Sequence, residues 1–209
     1  MSTKYFKFVK TSWFIAISCL IIGAAIVLGV RFATYKPDNV HYHANFALYI
    51  NGRHELFRGT QYYAETEMCT ADIAMTPMGR AHMHDNVNNV VHVEDHAVTW
   101  GQFFTNLGWY MGPNFIQSPD GTMYLENGNS RLHLLFNNQD YTDLGGVANT
   151  VIKDQDKLLV SFGDESSSTL RQQYNAIPST AHKYDMSKDI GSCGSHSSTT
   201  MHDRLKYMF

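Results

Sequence analysis

The sequence predicts an α+β protein, in which a single transmembrane helix near the N-terminus is followed by a small, mostly antiparallel β-sheet domain with one main short helix. Residues 12–30 carry no charged side chain and, at about 1.5 Å per residue, are long enough to cross roughly 30 Å of hydrocarbon. β-rich runs separated by turn signals recur from residue 41 to residue 163, and a capping-box motif opens the helix. A β-grasp-like sheet is one arrangement that this order of elements allows.

Length and composition limit the classes of function. With 209 residues and 44% hydrophobic content, the chain can build one ordinary domain with appendages. Sixteen Lys and Arg against 19 Asp and Glu give a net charge of -3, so we expect no nucleic-acid partner. Histidine is the unusual residue, because seven of the 11 histidines lie between residues 41 and 96: His41, His43, His54, His82, His84, His92 and His96.

Basic residues flanking the apolar run set the predicted orientation. Three lysines precede the run and two basic residues follow it, a bias that keeps the N-terminus in the cytoplasm and exports the rest. We therefore expect a single-pass signal-anchor in the cell membrane, with the lipid bilayer as a partner. The predicted divisions are a cytoplasmic N-terminus (1–11), the transmembrane helix (12–30), a linker (31–40), an extracytoplasmic His-rich domain (41–163) and a polar, loosely ordered tail (164–209).

A cleaved signal peptide is the alternative interpretation of this segment. The apolar run exceeds the usual 7–15 residues of a signal-peptide core, and Arg31 lies three residues before a cut after Ala33. Cleavage after Ala25 stays open. Cys19 is better interpreted as a thiol facing lipid than as a lipoprotein site, because Ala16 stands where leucine is expected.

Turn and capping signals predict the elements of the exported domain. Asn51-Gly52 between β-rich runs favours a type I′ hairpin, and residues 81–96 favour a second hairpin. Thr99 and Gln102 form a capping box, Gly108 suits the helix stop, and the aromatic residues between them recur at helical spacing. Three further strands are predicted in TMYLE, RLHLLF and LLVSF, and residues 58–80 form a long loop.

Two cysteines fall on the exported side of the predicted membrane helix. Thiols oxidise readily there, so Cys69 and Cys193 are predicted to form a disulfide bond. Two free thiols, or a metal-ligating Cys69, are the alternatives. No CxxC motif occurs, and a thioredoxin-type redox role therefore has no support.

The histidines occur in pairs with strand spacing. Side chains at i and i+2 share one face of a strand, so each of three pairs presents two ligands: His41 with His43, His82 with His84, and His92 with Glu94. Val91 and Val93 would then lie on the opposite face. A hairpin register that pairs Asn86 with Val90 would place His84 opposite His92 and His82 opposite Glu94. The predicted metal ligands are His41, His43, His82, His84, His92, Glu94 and His96.

Imidazole with carboxylate is the donor set of zinc and copper. We predict one of these divalent transition metals as cofactor, and four nearby methionines, Met68, Met75, Met78 and Met83, slightly favour copper. His96 is also open to a turn role. Plain solvation or hydrogen bonding is the preferred interpretation of the remaining histidines, and a pH-sensing cluster is another alternative for the paired set.

The ordered set HYHANFALYING, AHMHD and VVHVEDHAVTWGQFFTNLG, closed by LLVSFG, resembles a group of uncharacterised exported His-rich domains of bacteria and archaea. The similarity covers residues 41–163. It implies a small α+β domain held at the cell surface, with suspected metal ligands at His41, His43, His82, His84 and His92. No established activity comes with it.

Three functions follow from these patterns. The first is a membrane-anchored extracytoplasmic metal-binding protein, acting in metal acquisition, delivery or structural retention. The second is a non-catalytic surface protein with an extracellular protein partner and structural or pH-responsive histidines. The third is a metal-dependent enzyme in which Glu94 or Asp85 acts as general base. The chain contains no HExxH or GxSxG motif, and the enzyme therefore ranks last.

Overall fold

The structure is a computed structural model that describes residues 2–35, 40–63, 76–83, 86–186 and 201–206. The chain divides into two compact units. Helices α1 (Ser2–Thr34) and α7 (Met201–Lys206) belong to the first unit, and all elements between residues 40 and 186 belong to the second. The disulfide prediction for Cys69 and Cys193 lies outside the described residues.

The first unit contains the apolar helix that the sequence predicts. Within α1, Trp13–Thr34 has a mean hydropathy of 2.6 and is long and apolar enough to cross a membrane. Length and composition are equally those of a signal sequence. At its C-terminal end, the Arg204 guanidinium of α7 donates hydrogen bonds to the carbonyls of Phe32 (2.8 Å) and Ala33 (3.3 Å), which have no partner inside the helix.

The second unit is built on a mixed but mostly antiparallel sheet, and the α+β prediction is confirmed. Its strand order is β3-β4-β1-β10-β8-β9, with β2 also paired to β1, and only β1 and β10 run parallel. The strands are β1 (Tyr42–Ile50), β2 (Arg53–His54), β3 (Ala81–His82), β4 (Val90–Val93), β8 (Arg131–Phe136), β9 (Gln139–Tyr141) and β10 (Lys157–Gly163). The β-grasp-like arrangement stays a prediction.

A three-stranded sheet and short helices complete the unit. The small sheet has the order β5-β6-β7, with strands β5 (Tyr110–Gly112), β6 (Phe115–Gln117) and β7 (Met123–Leu125). The predicted strand TMYLE therefore exists but belongs to this separate sheet. The helices are α2 (Pro77–Arg80), α3 (Trp100–Asn106), α4 (Leu144–Ala148), α5 (Ser167–Ala176) and α6 (Ala181–Met186), with a 3₁₀ turn at Thr60–Tyr62.

The predicted hairpin turn, capping box and helix stop are all present in the structure. Asn51 and Gly52 both have positive φ (49° and 76°), as a type I′ hairpin turn requires. The Thr99 hydroxyl accepts from the Gln102 amide while the Gln102 side chain accepts from the Thr99 amide, which confirms the capping box of α3. Gly108 adopts φ 76° directly after the helix, where a side chain would be disfavoured.

The main core lies on one face of the large sheet. Phe46 of β1 meets Phe103 and Phe104 of α3 edge to face, with ring centroids 4.8 and 5.7 Å apart. Val91 and Val93 of β4 join this core. Because side chains alternate along a strand, the neighbouring residues of β1 and β4 lie on the opposite face, and these include the histidines.

The opposite face is covered by the C-terminal segment, which the sequence predicts as a loosely ordered tail from residue 164. Helix α5 begins at the Ser166 cap and packs Leu170 and Tyr174 on an apolar patch containing Ala47 and Leu159. The packed part of the chain thus extends to residue 186. The segment is rich in serine, but a few apolar residues at helical spacing suffice to cover a small patch.

Asn45 of β1 fixes the start of α6. Its buried side-chain oxygen accepts from the amides of Thr180 (3.1 Å) and Ala181 (3.0 Å), while its Nδ2 donates to the Thr180 hydroxyl and to the Asn89 carbonyl. Each of these groups would lose free energy if buried without a partner. One side chain therefore connects β1, the β3–β4 loop and α6.

Replacing Asn45 by Ala is expected to lower the free energy of unfolding by about 2–4 kcal/mol, because two main-chain amides lose their acceptor. Urea unfolding of the full chain in non-ionic detergent measures this loss. Asn149→Ala is the matched control, since Asn149 is exposed and bonds only to the Gly145 carbonyl of its own helix. Equal losses for the two variants would contradict the anchoring role.

Candidate metal centre

Three histidines form a row across three neighbouring strands. His43 of β1 lies directly opposite His92 of β4, and His92 lies directly opposite His82 of β3. Opposed residues of an antiparallel pair project to the same face and lie close together. The row is therefore a consequence of strand register, and it occupies the face that carries α6.

The register of the second hairpin differs from the predicted one by two residues. His82, not His84, pairs with His92, so the register that would place His82 opposite Glu94 does not form. Met83, the next residue, bridges to Tyr63. A register shift of two residues leaves each side chain on the same face of the sheet, so His82 and His92 still lie side by side. His84 lies outside the described residues.

A chain of hydrogen bonds runs through the row. His43 Nδ1 is 2.7 Å from the Asp185 carboxylate of α6, and His43 Nε2 is 2.9 Å from His92 Nδ1. His92 Nε2 is 2.9 Å from the Glu94 carboxylate. Both nitrogens of both rings are thus engaged, in the order carboxylate, imidazole, imidazole, carboxylate.

This order sets the number of protons that the four groups share. Each of the three contacts requires one proton between its two atoms. Two neutral imidazoles carry only two N–H protons, so the chain of groups from Asp185 to Glu94 shares one more. Transition-metal ions bind imidazole through the nitrogen lone pair and displace protons of this kind.

His82, the third member of the row, and His41 lie on either side of the hydrogen-bonded pair. The His82 ring stacks on His92 with centroids 5.0 Å apart, and its Nδ1 is 3.0 Å from the Met78 carbonyl. A neutral His82 therefore donates from Nδ1 and carries its lone pair on the buried Nε2. The ring of His41 lies 5.0 Å from His43 and 4.7 Å from His92.

These side chains make two groups that could hold a metal ion. One group is His41, His43 and His92, and the other is His82, His92 and Glu94; within each group the ligand atoms lie within 4.8 Å of one another. Three histidines, or two histidines with one glutamate, are both donor sets of known zinc sites. Asp185 and the Met78 carbonyl hold the outer nitrogens of His43 and His82, as partners of metal-bound histidines do.

The row is buried, whereas the sequence predicts a displayed histidine face. His43 and His92 are each 1% exposed and His82 is 0% exposed. Helix α6 supplies part of the cover, with the Tyr184 ring 5.6 Å from His43. A cavity of about 10 Å³ lies beside His43 and His92, about the volume that one water molecule requires.

Carboxylates make the surroundings of the centre negative. Burial raises the pKa of Asp185 to about 6; the neighbouring Asp154 also acts upward, and His41 acts in the opposite direction. The pKa of Tyr42 is raised as well, by burial first and then by Asp156, Asp154 and Asp95. A cation is therefore favoured at this end of β1.

Other predicted site residues lie elsewhere. His96 is exposed in the turn after β4, where its carbonyl accepts from Arg80, and it belongs to neither group. Met83 packs in the main core on the other face of the sheet, so its thioether gives no support to copper. Asp185, which the sequence interpretation missed, is 142 residues from His43 along the chain, and no local pattern marks it.

Comparison with protein-family models, curated proteins and solved structures finds no match. The resemblance to exported His-rich domains therefore stays a prediction.

Asp185→Asn is expected to weaken zinc affinity by about 10–100-fold, because the amide keeps the shape but removes the charge that orients His43. Competition with a chromophoric chelator measures the change on the full chain. Asp164→Asn, at an exposed carboxylate, serves as control. Unchanged affinity in the Asp185 variant would exclude His43 as a ligand supported by this helix.

Proposed function

We propose that the protein is a membrane-anchored, extracytoplasmic metal-binding protein that holds zinc or copper, in metal acquisition, delivery or structural retention. The observation that carries the proposal is the buried row of His43, His92 and His82, with Glu94 and His41 at its end. Imidazole and carboxylate are the ligands that these metals prefer.

The arrangement of the outer nitrogens supports a metal site over a set of structural histidines. In both His43 and His82 an acceptor holds Nδ1, so Nε2 is the nitrogen that would bind a metal ion. That is the pattern of ligands oriented by a second layer of hydrogen bonds. The centre also gathers five ionisable side chains, those of His41, His43, His82, His92 and Glu94. Burying such groups costs free energy, which a bound metal ion would offset.

The two alternatives fit these observations less well. Histidines that contact a protein partner would be accessible, but those of the row are buried, with Tyr184 of α6 over His43. A metal-dependent enzyme needs space for substrate beside the metal, and the cavity next to His43 and His92 has room for about one water molecule. Metal binding without turnover is therefore the function that we propose.

Full-length protein, purified in detergent without a histidine tag, is expected to retain near-stoichiometric zinc or copper. A variant with His43, His82 and His92 changed to Ala should lose it, because every ligand group loses at least two members. Elemental mass spectrometry after gel filtration measures the metal per chain.

The matched control changes His54, His133 and His182 to Ala, removing the same number of imidazoles away from the row. It should keep the metal. A wild-type chain that stays metal-free and cannot be loaded with zinc or copper would rule out the proposed function.

Membrane anchoring has a separate test. Exchanging Leu20 and Ile26 for Arg places two charges in the apolar segment, each costing about 2.5–3.5 kcal/mol on insertion, and should release the chain from membranes washed in alkaline carbonate. Leu20→Val with Ile26→Val is the control and should stay membrane-bound. A mature N-terminus beginning after Ala25 or Ala33 would instead identify a cleaved signal peptide.

A further inference from the structure

We infer that the centre takes two divalent metal ions, bridged by the ring of His92 as an imidazolate. The inference rests on the proposed function, since it requires that the site bind metal at all. It assigns one ion to His41, His43 and His92 and the other to His82, His92 and Glu94.

The two nitrogens of the His92 ring face different partners. Its Nδ1 is 2.9 Å from His43 Nε2, and its Nε2 is 2.9 Å from Glu94 Oε1. The lone pairs of these nitrogens point away from each other in the ring plane, so one ion cannot bind both. His92 nevertheless belongs to both ligand groups, with His43 of one group at its Nδ1 and Glu94 of the other at its Nε2. Two ions, one on each edge, use all five side chains.

The ligand atoms of each group are close enough to converge on one ion after their side chains adjust. An ion about 2.0 Å from each of its tetrahedral ligands separates those ligands by about 3.3 Å. The two contacts of 2.9 Å at His92 have to widen by a few tenths of an ångström, and the other ligand pairs, which lie within 4.8 Å of one another, have to reach the same separation. Ions on the two nitrogens of one ring would be on the order of 6 Å apart, given about 2.0 Å for each metal–nitrogen bond.

The proton and charge balance also favours this arrangement. Two metal–nitrogen bonds on His92 replace the proton shared with His43 and the proton shared with Glu94, and both protons leave to solvent. The His43 proton that faces Asp185 stays in place. Two divalent ions then bring four positive charges, offset by the His92 imidazolate, Glu94 and Asp185, with Asp154 close by. Buried charge is tolerated when it is compensated in this way.

The two positions differ in their donors. The first has three nitrogen ligands, and the second has two nitrogens and one carboxylate oxygen. Each leaves a fourth position open in a tetrahedral ion. Nitrogen-rich sites suit copper and zinc, while the mixed site also suits zinc, so the centre can accommodate two different metals.

The test counts metal ions and electron spins in the full-length, tag-free protein in detergent. Loaded with zinc alone and passed through gel filtration, the wild type should hold about two ions per chain. His41→Ala and Glu94→Gln should each hold about one, because each removes a ligand of a single position. The variant lacking His54, His133 and His182 should still hold two.

Loading with Cu(II) alone tests the bridge. An imidazolate couples the spins of two Cu(II) ions, so the integrated paramagnetic resonance signal of the wild type should fall well below its copper content. Glu94→Gln, which retains one ion, should restore the full signal per copper. Circular dichroism confirms folding, and Glu94→Gln alone decides the question if His41→Ala does not fold.

The outcomes separate the two proposals. No bound metal would remove the proposed function itself. One ion per chain in the wild type would overturn the bridged pair while leaving metal binding intact. Two ions with a full copper signal would also overturn it, because independent ions need no shared imidazolate.

Discussion

The candidate centre depends on the antiparallel pairing of β1 with β4, because this register sets His43 opposite His92. A slip of one residue would turn the histidines into the main core and bring Val91 and Val93 out of it. The register is held by that core, where the valines pack with Phe46 and the aromatic residues of α3. Hydrophobic packing on one face of the sheet thus sets the positions of the histidines on the other face.

Helix α6 completes the centre from the far end of the chain. The Asn45 side chain holds its first residues, and the Asp185 carboxylate then reaches His43. Asn45 and His43 are two residues apart on β1 and therefore share a face. The same strand that supplies an imidazole also positions the helix that covers it, so the site closes only when the C-terminal segment has packed.

Local elements of this fold could be predicted from the sequence because their causes are local. Asn51-Gly52 demands positive φ wherever it occurs, and the Thr99 capping box needs only four consecutive residues. The alternation of histidine with valine in β4 likewise identified a polar and an apolar face. These signals were sufficient for the fold class and for most of the side chains that the candidate centre brings together.

The remaining features depend on long-range contacts. The bridge between Met83 and Tyr63, next to the β3–β4 pairing, joins residues 20 positions apart in the chain. Asp185 comes from a polar stretch whose composition suggests disorder, and its role appears only when α6 lies over β1. Average composition cannot show that a few apolar residues in α5 match one small patch of the sheet.

The relation between metal binding and folding bears on which role the centre serves. Small zinc domains unfold without metal because they have little other core. Here the main core lies on the face opposite the histidines, and shared protons already connect Asp185, His43, His92 and Glu94. These side chains are therefore already connected to one another through hydrogen bonds, and at the proposed site a metal ion would exchange for protons within that framework.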